Sequence, residues 1–104
     1  MNPRVRFEDE ADVEYRAAGR WYEGRRVNLG LEFFDAVDAA ISQILDFPRS
    51  GSAVQRMPAD LQVRRMGVMR FPYHVIYLDT TDHIRILAIA HDSQKPGYWR
   101  SRLK

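Results

Sequence analysis

FPYHVIYLDTTDHIRILAIAH, residues 71–91, decides the fold of this 104-residue chain. Two runs rich in aromatic and β-branched residues flank the polar group Asp79-Thr80-Thr81-Asp82, the pattern of two strands joined by a turn. The reading places one strand over Phe71–Leu78 and another over Ile84–Ala90. The near-continuous apolar run of the latter suits a central, covered strand. A symmetric turn at 79–82 pairs Tyr77 with Ile84, Val75 with Ile86 and Tyr73 with Ala88, and it sets Arg70 opposite His91. Side chains alternate along a strand. Tyr73, Val75, Tyr77, Ile84, Ile86, Ala88 and Ala90 then form the face for packing. Arg70, His74, Ile76, Arg85, Leu87, Ile89 and His91 form the other. A one-residue bulge would flip part of this assignment.

Upstream, Leu61–Arg65 reads as a further strand, with Gly67 as a turn or bend. Arg49–Asp60 carries Pro, Gly, Ser and Ala without periodicity and reads as a surface loop. Phe33, Phe34, Val37, Ala40, Ile41, Ile44 and Leu45 keep helical spacing, with Asp35, Asp38, Ser42 and Asp46 between them. Pro48 ends this helix. An earlier helix has its stripe at Ala11, Tyr15, Ala18 and Tyr22, with Trp21 beside it. It opens on Asp9, Glu10 and Asp12, which suit a helix N-terminus, and ends near Val27–Gly30. Trp21 and Tyr22 are read as core. Val5–Glu8 is a short edge strand. The order β-α-α-β-β-β makes one α+β domain over 1–104, with an antiparallel helical hairpin on a mainly antiparallel sheet of three to four strands.

Composition narrows the function. The chain lacks cysteine, which removes disulfides, thiolate metal sites and cysteine nucleophiles. No apolar run is long enough to span a membrane, and the N-terminus does not read as a signal peptide. The expectation is a cytoplasmic protein. Residues 1–52 hold 7 Arg/Lys against 10 Asp/Glu, and residues 53–104 hold 9 against 4. The basic half suits a polyanion or an acidic partner. Walker, dinucleotide and HExxH motifs are missing, and His74, His83 and His91 have no helical metal spacing. No cofactor and no metal are expected.

Arg64, Arg65, Arg70 and His91 are expected near one end of the sheet, with Tyr98, Trp99, Arg100 and Arg102 following in the tail. Arginine suits phosphate contact, histidine suits proton transfer, and an aromatic ring stacks on a base. Each group also has a structural reading. Arg64 and Arg65 are a solvated pair, His74 a packed and hydrogen-bonded histidine, and Tyr98-Trp99 an anchor for the tail.

The set Trp21-Tyr22-Glu23, Leu29-Gly30 with Phe33, Pro48, Val63-Arg64-Arg65, Arg70 through Tyr77, Ile84 through His91, and Pro96 with Tyr98-Trp99 resembles the RelE/ParE toxin superfamily. The resemblance spans nearly the whole chain in order. It implies the toxin of a type II toxin–antitoxin pair, neutralised by a separate cognate antitoxin. RelE-like members cut messenger RNA in the ribosome, whereas ParE-like members poison DNA gyrase. The long helical hairpin looks more ParE-like. By resemblance to the ribonucleases, Arg65, His91 and Tyr98 are catalytic candidates, and Arg70 joins them from its expected place opposite His91. Arg64, Arg85, Trp99 and Arg100 are candidate contacts to target or antitoxin. Asp92 sets a negative charge where a phosphate would approach. Gyrase binding, ribosome-dependent RNA cleavage and a partner-binding member without toxicity are the three readings.

Overall fold

The computed structural model describes residues 3–58 and 60–103. Its elements run β1 (Val5–Phe7), α1 (Asp9–Arg25), α2 (Leu29–Asp46), β2 (Ser52–Ala53), β3 (Val63–Gly67), β4 (Tyr73–Asp79) and β5 (Ile84–His91), followed by a 3-10 turn at Arg100–Leu103. One five-stranded sheet has the order β1-β5-β4-β3-β2. β1 lies parallel to β5, and every other pairing is antiparallel.

The helices form the expected hairpin. α1 carries acids in its first turn and ends at Arg25, before the residues expected to finish it. Asn28, at φ 71°, turns the chain into α2. The free N–H groups at the start of α2 find an acceptor on α1. The Glu23 carboxylate takes the amides of Asn28 at 2.9 Å and Gly30 at 3.0 Å, meeting the need of a helix start for acceptors. Glycine is required at position 30, where a Cβ would lie 2.5 Å from the Gly19 carbonyl oxygen. α2 stops ahead of Pro48, as its sequence predicts.

The sheet departs from expectation in three ways. β2 adds a fifth strand inside the loop read over Arg49–Asp60; Ala59 of that stretch lies outside the described residues. β3 lies two residues later than predicted and includes Gly67. The β4–β5 turn is Thr80–His83, closed by the Thr80 amide on the His83 carbonyl at 3.0 Å and by the Thr80 hydroxyl on the same oxygen at 2.6 Å. Asp79 therefore pairs with Ile84, Leu78 with Arg85 and Tyr77 with Ile86. The ladder resumes as Ile76 with Ala88 and ends as Tyr73 with His91. Leu87 is the extra residue of a bulge. It shifts the alternation, so Leu87 and Ala88 both face away from the helices while Ile89 faces them. Arg70 does not oppose His91; Tyr73 does.

Two apolar clusters sandwich the sheet. Beneath the helices lie Phe33, Val37, Ile44, Val75, Tyr77, Ile84, Ile86 and Ile89. Each large side chain contributes roughly 1.5–3 kcal/mol on burial. Phe33 is the hub of an aromatic group, with ring centroids 5.3 Å from Tyr22, 5.3 Å from Phe71 and 5.0 Å from Tyr73. The opposite face carries Val63, Ile76, Leu78, Leu87, Ala88 and, from the tail, Trp99. Trp99 is 4% exposed and anchors the tail. Trp21 is 56% exposed, which corrects its reading as core, whereas Tyr22 packs inward.

Candidate functional site

At the end of the sheet where β4 begins and β5 finishes, a cavity of about 670 Å³ opens on the face away from the helices. Ala53–Arg56 form one wall and Gln94–Arg100 the other; Arg65, His74, Ile76, Ala90, His91 and Asp92 form the floor. Four full cations, Arg56, Arg65, Lys95 and Arg100, surround it with one carboxylate, Asp92. Such an excess in a concave site focuses a positive potential.

A relay crosses the floor. An Arg65 guanidinium nitrogen lies 2.9 Å from His74 Nε2, and His74 Nδ1 lies 2.6 Å from Asp92 Oδ1. Guanidinium only donates, so Nε2 must accept, and Nδ1–H donates to Asp92. The pairing puts Asp92 to work orienting His74. His91 is fixed the opposite way. Its Nδ1 accepts the Ser93 amide at 3.0 Å and lies 2.7 Å from the Ser93 hydroxyl. Nε2 of His91 then carries the proton and is the nitrogen left to donate to a ligand.

The tail is held by two fastenings. The Arg100 guanidinium donates to the carbonyls of Gln55 and Arg56, each at 3.3 Å, and reaches Met57 Sδ at 2.8 Å, joining the two cavity walls. The carboxylate of Glu14 on α1 accepts the Tyr98 hydroxyl at 2.7 Å, both terminal nitrogens of Arg102 at 2.9 and 3.0 Å, and the Ile89 amide at 3.0 Å. Burial, and then the hydrogen bond to Glu14 and its charge, push the Tyr98 phenol well above its ordinary range. The hydrogen bond from Arg102 to Glu14 holds Arg102 charged.

The candidate residues divide accordingly. Arg65, His91, Tyr98, Trp99 and Arg100 border the cavity. Trp99, being buried, has its ring committed to packing and does not offer it for stacking. Arg70 has a left-handed backbone, φ 70°, and pairs with Glu32 of α2 at 3.4 Å, away from the cavity. Glu32 also binds Arg26 at 2.9 Å, and these cations, Arg26 first, hold its carboxyl below the usual range. Arg64 donates to the Gly51 carbonyl at 2.9 Å. Arg85 is tied to Glu8 and to the Arg102 carbonyl. Sequence reasoning missed the His74–Asp92 pair and Glu14. Their signals were weak, since one histidine sits in an aromatic strand and one acid lies among several on α1.

Chemically, the arrangement can bind an anion and offer one imidazole N–H to it. The phenol of Tyr98 is held as a donor to Glu14. A second groove, of about 660 Å³, runs between β1 and the helices, lined mainly by Val5, Phe7, Tyr15, Phe34, Ile41 and Leu45. Among the described residues no group of three His, Asp or Glu side chains is placed to hold a metal. Among the described residues no helix is long and apolar enough to cross a membrane.

A helical hairpin on one face of a mainly antiparallel sheet is a fold this chain shares with a known structure. A solved structure described as the chromosomal ParDE TA system from P. aeruginosa superposes with a TM-score of 0.65 at 16% identity, covering 84% of this chain and 92% of that one. At such identity the likeness speaks for the fold alone. The family model for the ParE toxin of the type II toxin-antitoxin system, parDE, matches residues 5–96, and the chain belongs to that family. No curated protein sequence matches it.

Proposed function

We infer that this chain is a growth-inhibiting toxin that works in the cytoplasm by binding and poisoning DNA gyrase, and that a cognate antitoxin neutralises it. The family match over residues 5–96 carries the reading. The geometry supports binding over cleavage. Metal-free RNA cleavage needs a base, an acid and cations around one phosphate. Here Arg70 pairs on the helix side and the Tyr98 hydroxyl is bonded to Glu14. Asp92 adds a negative charge to the floor of the cavity.

The test is induction of the chain in cells, followed by purified gyrase acting on supercoiled plasmid. Gyrase poisoning produces filamentation, a DNA-damage response and trapped cleaved plasmid. Early arrest of protein synthesis with cut transcripts and untouched gyrase would refute it. One observation favours the ribonuclease reading, namely the convergence of Arg65, His91 and Lys95 on a single cavity. Under that reading Arg65→Ala and His91→Ala abolish transcript cutting while antitoxin binding survives; full toxicity of both variants removes it. A short acidic frame beside the gene supports an antitoxin partner, and its absence favours a member that only binds a partner.

A further inference from the structure

The outward face of α1 carries a row of exposed apolar side chains, and the ring contacts of its Trp21 are with Tyr22 and Arg25 of the same helix. Val13 is 63% exposed and Trp21 56%, and Ala17 between them is exposed too. At 100° per residue, Glu10, Val13, Ala17, Trp21 and Gly24 fall within an arc of roughly 80°. The pattern is balanced about Ala17. Val13 and Trp21 stand four residues to either side, Glu10 and Gly24 seven. Acids occupy one end of the helix, Asp9, Glu10 and Asp12, and Arg25 the other. Arg20 stands beside the row. Arg16 is occupied by Asp12 at 3.1 Å. The Arg25 guanidinium lies 4.4 Å from the centre of the Trp21 ring, which orders both groups in advance.

We propose that this face is a self-association surface, on which α1 of one copy packs antiparallel against α1 of a second copy about a two-fold axis at Ala17. An interface of this kind uses one patch twice, so the patch must complement itself when reversed. Reversal sets Val13 beside the second copy's Trp21 and Glu10 on the same edge as its Arg25. On the opposite edge Arg20 comes to the level of the second copy's Arg16, whose charge is paired with Asp12. Ala17 at the axis permits interaxial separations of about 8–10 Å. The glycine at position 24 also gains a reason. A Cβ there would meet nothing within 4 Å inside the chain, although glycine in a helix is destabilising relative to alanine. A second backbone passing close by is what a small residue there accommodates. The contact spans little more than two turns of helix, less than a permanent interface buries, so the dimer is weak, with Kd on the order of 10–100 µM.

This surface is independent of the gyrase reading. Sedimentation equilibrium of the purified full chain, from about 5 to about 500 µM, should show a monomer–dimer equilibrium in that range. Glu10→Arg should weaken it about tenfold, and Glu10→Arg with Arg25→Glu should restore it, since the exchange swaps partners across the axis. The chain has no cysteine, so Ala17→Cys introduces a single thiol. It should form a disulfide-linked dimer under mild oxidation because its Cα lies within about 7 Å of its copy; Ser42→Cys on α2 should not. A monomer at every concentration overturns the proposal and leaves the face to a different protein. A dimer indifferent to Glu10→Arg overturns it as well, and so does equal crosslinking of the two cysteine variants.

Discussion

Tyr77→Phe removes one oxygen from the centre of the molecule. Tyr77 is 0% exposed, and its hydroxyl donates to the Pro48 carbonyl at 2.7 Å and accepts the Gly51 amide at 3.0 Å. Phenylalanine keeps the ring and its packing, so the loss is confined to these two bonds. A net hydrogen bond contributes about 1 kcal/mol, and leaving a buried N–H without an acceptor adds about 1–3 kcal/mol. The expected destabilisation is about 2–4 kcal/mol, lowering Tm by roughly 10–20 °C in a domain of this size. Urea unfolding should show a lower midpoint with unchanged m. Amide exchange should speed up at Gly51 and its neighbours well before the sheet loosens. The location matters because residues 53–56 form a cavity wall only a few positions beyond this tether. A loss below about 0.5 kcal/mol, or protection at Gly51 equal to the wild type, would show that the hydroxyl does not hold this segment.

Gly30→Ala should cost about 1–3 kcal/mol by forcing the helices apart, since its Cβ meets backbone rather than a yielding side chain; denaturant melts measure this. All five tyrosines have phenols raised above the ordinary value, burial being the first cause in each case. Folding therefore favours the protonated form, and that stability is fully present below pH about 10 and lost as pH rises further. Phenolate absorbance should appear together with unfolding, and five phenols titrating at the ordinary value in folded protein would contradict this. Glu14→Ala leaves the part-buried Arg102 without its carboxylate and should cost about 2–4 kcal/mol. It should also free residues 96–103, detected as faster exchange and proteolysis there while α2 stays protected.

Much of the fold was legible because it rests on periodicity. α2 alternates apolar and polar faces cleanly, and Pro48 marks its end. The hairpin was legible as a hairpin but not in its register. The Thr80 side chain pulls His83 into the turn, and the Leu87 bulge adds a residue that no hydrophobic pattern shows, since Leu87, Ala88 and Ile89 are all apolar. Trp21 and Trp99 look alike in composition and lie at opposite extremes of burial. What separates them is which surface the chain brings to them. At the candidate site, the arginines and His91 were visible as residue types. The His74–Asp92 bond and the Glu14 hub were not, because they join residues 18 and more than 80 positions apart.

Glu14 binds Tyr98 and Arg102, 84 and 88 positions further along the chain. Contacts so distant in sequence form only after the chain between them has been made. Trp99 likewise covers the second core from the last residues described. A nascent chain that has emerged only as far as β5 has its helices and most of its sheet, yet Leu87 and Ala88 are uncovered and one wall of the basic cavity does not exist. Completion of the cavity thus waits on synthesis of the segment that carries Tyr98 and Trp99, and a fragment ending before Tyr98 would carry exposed apolar surface and lack that part of the wall, which makes it prone to aggregation.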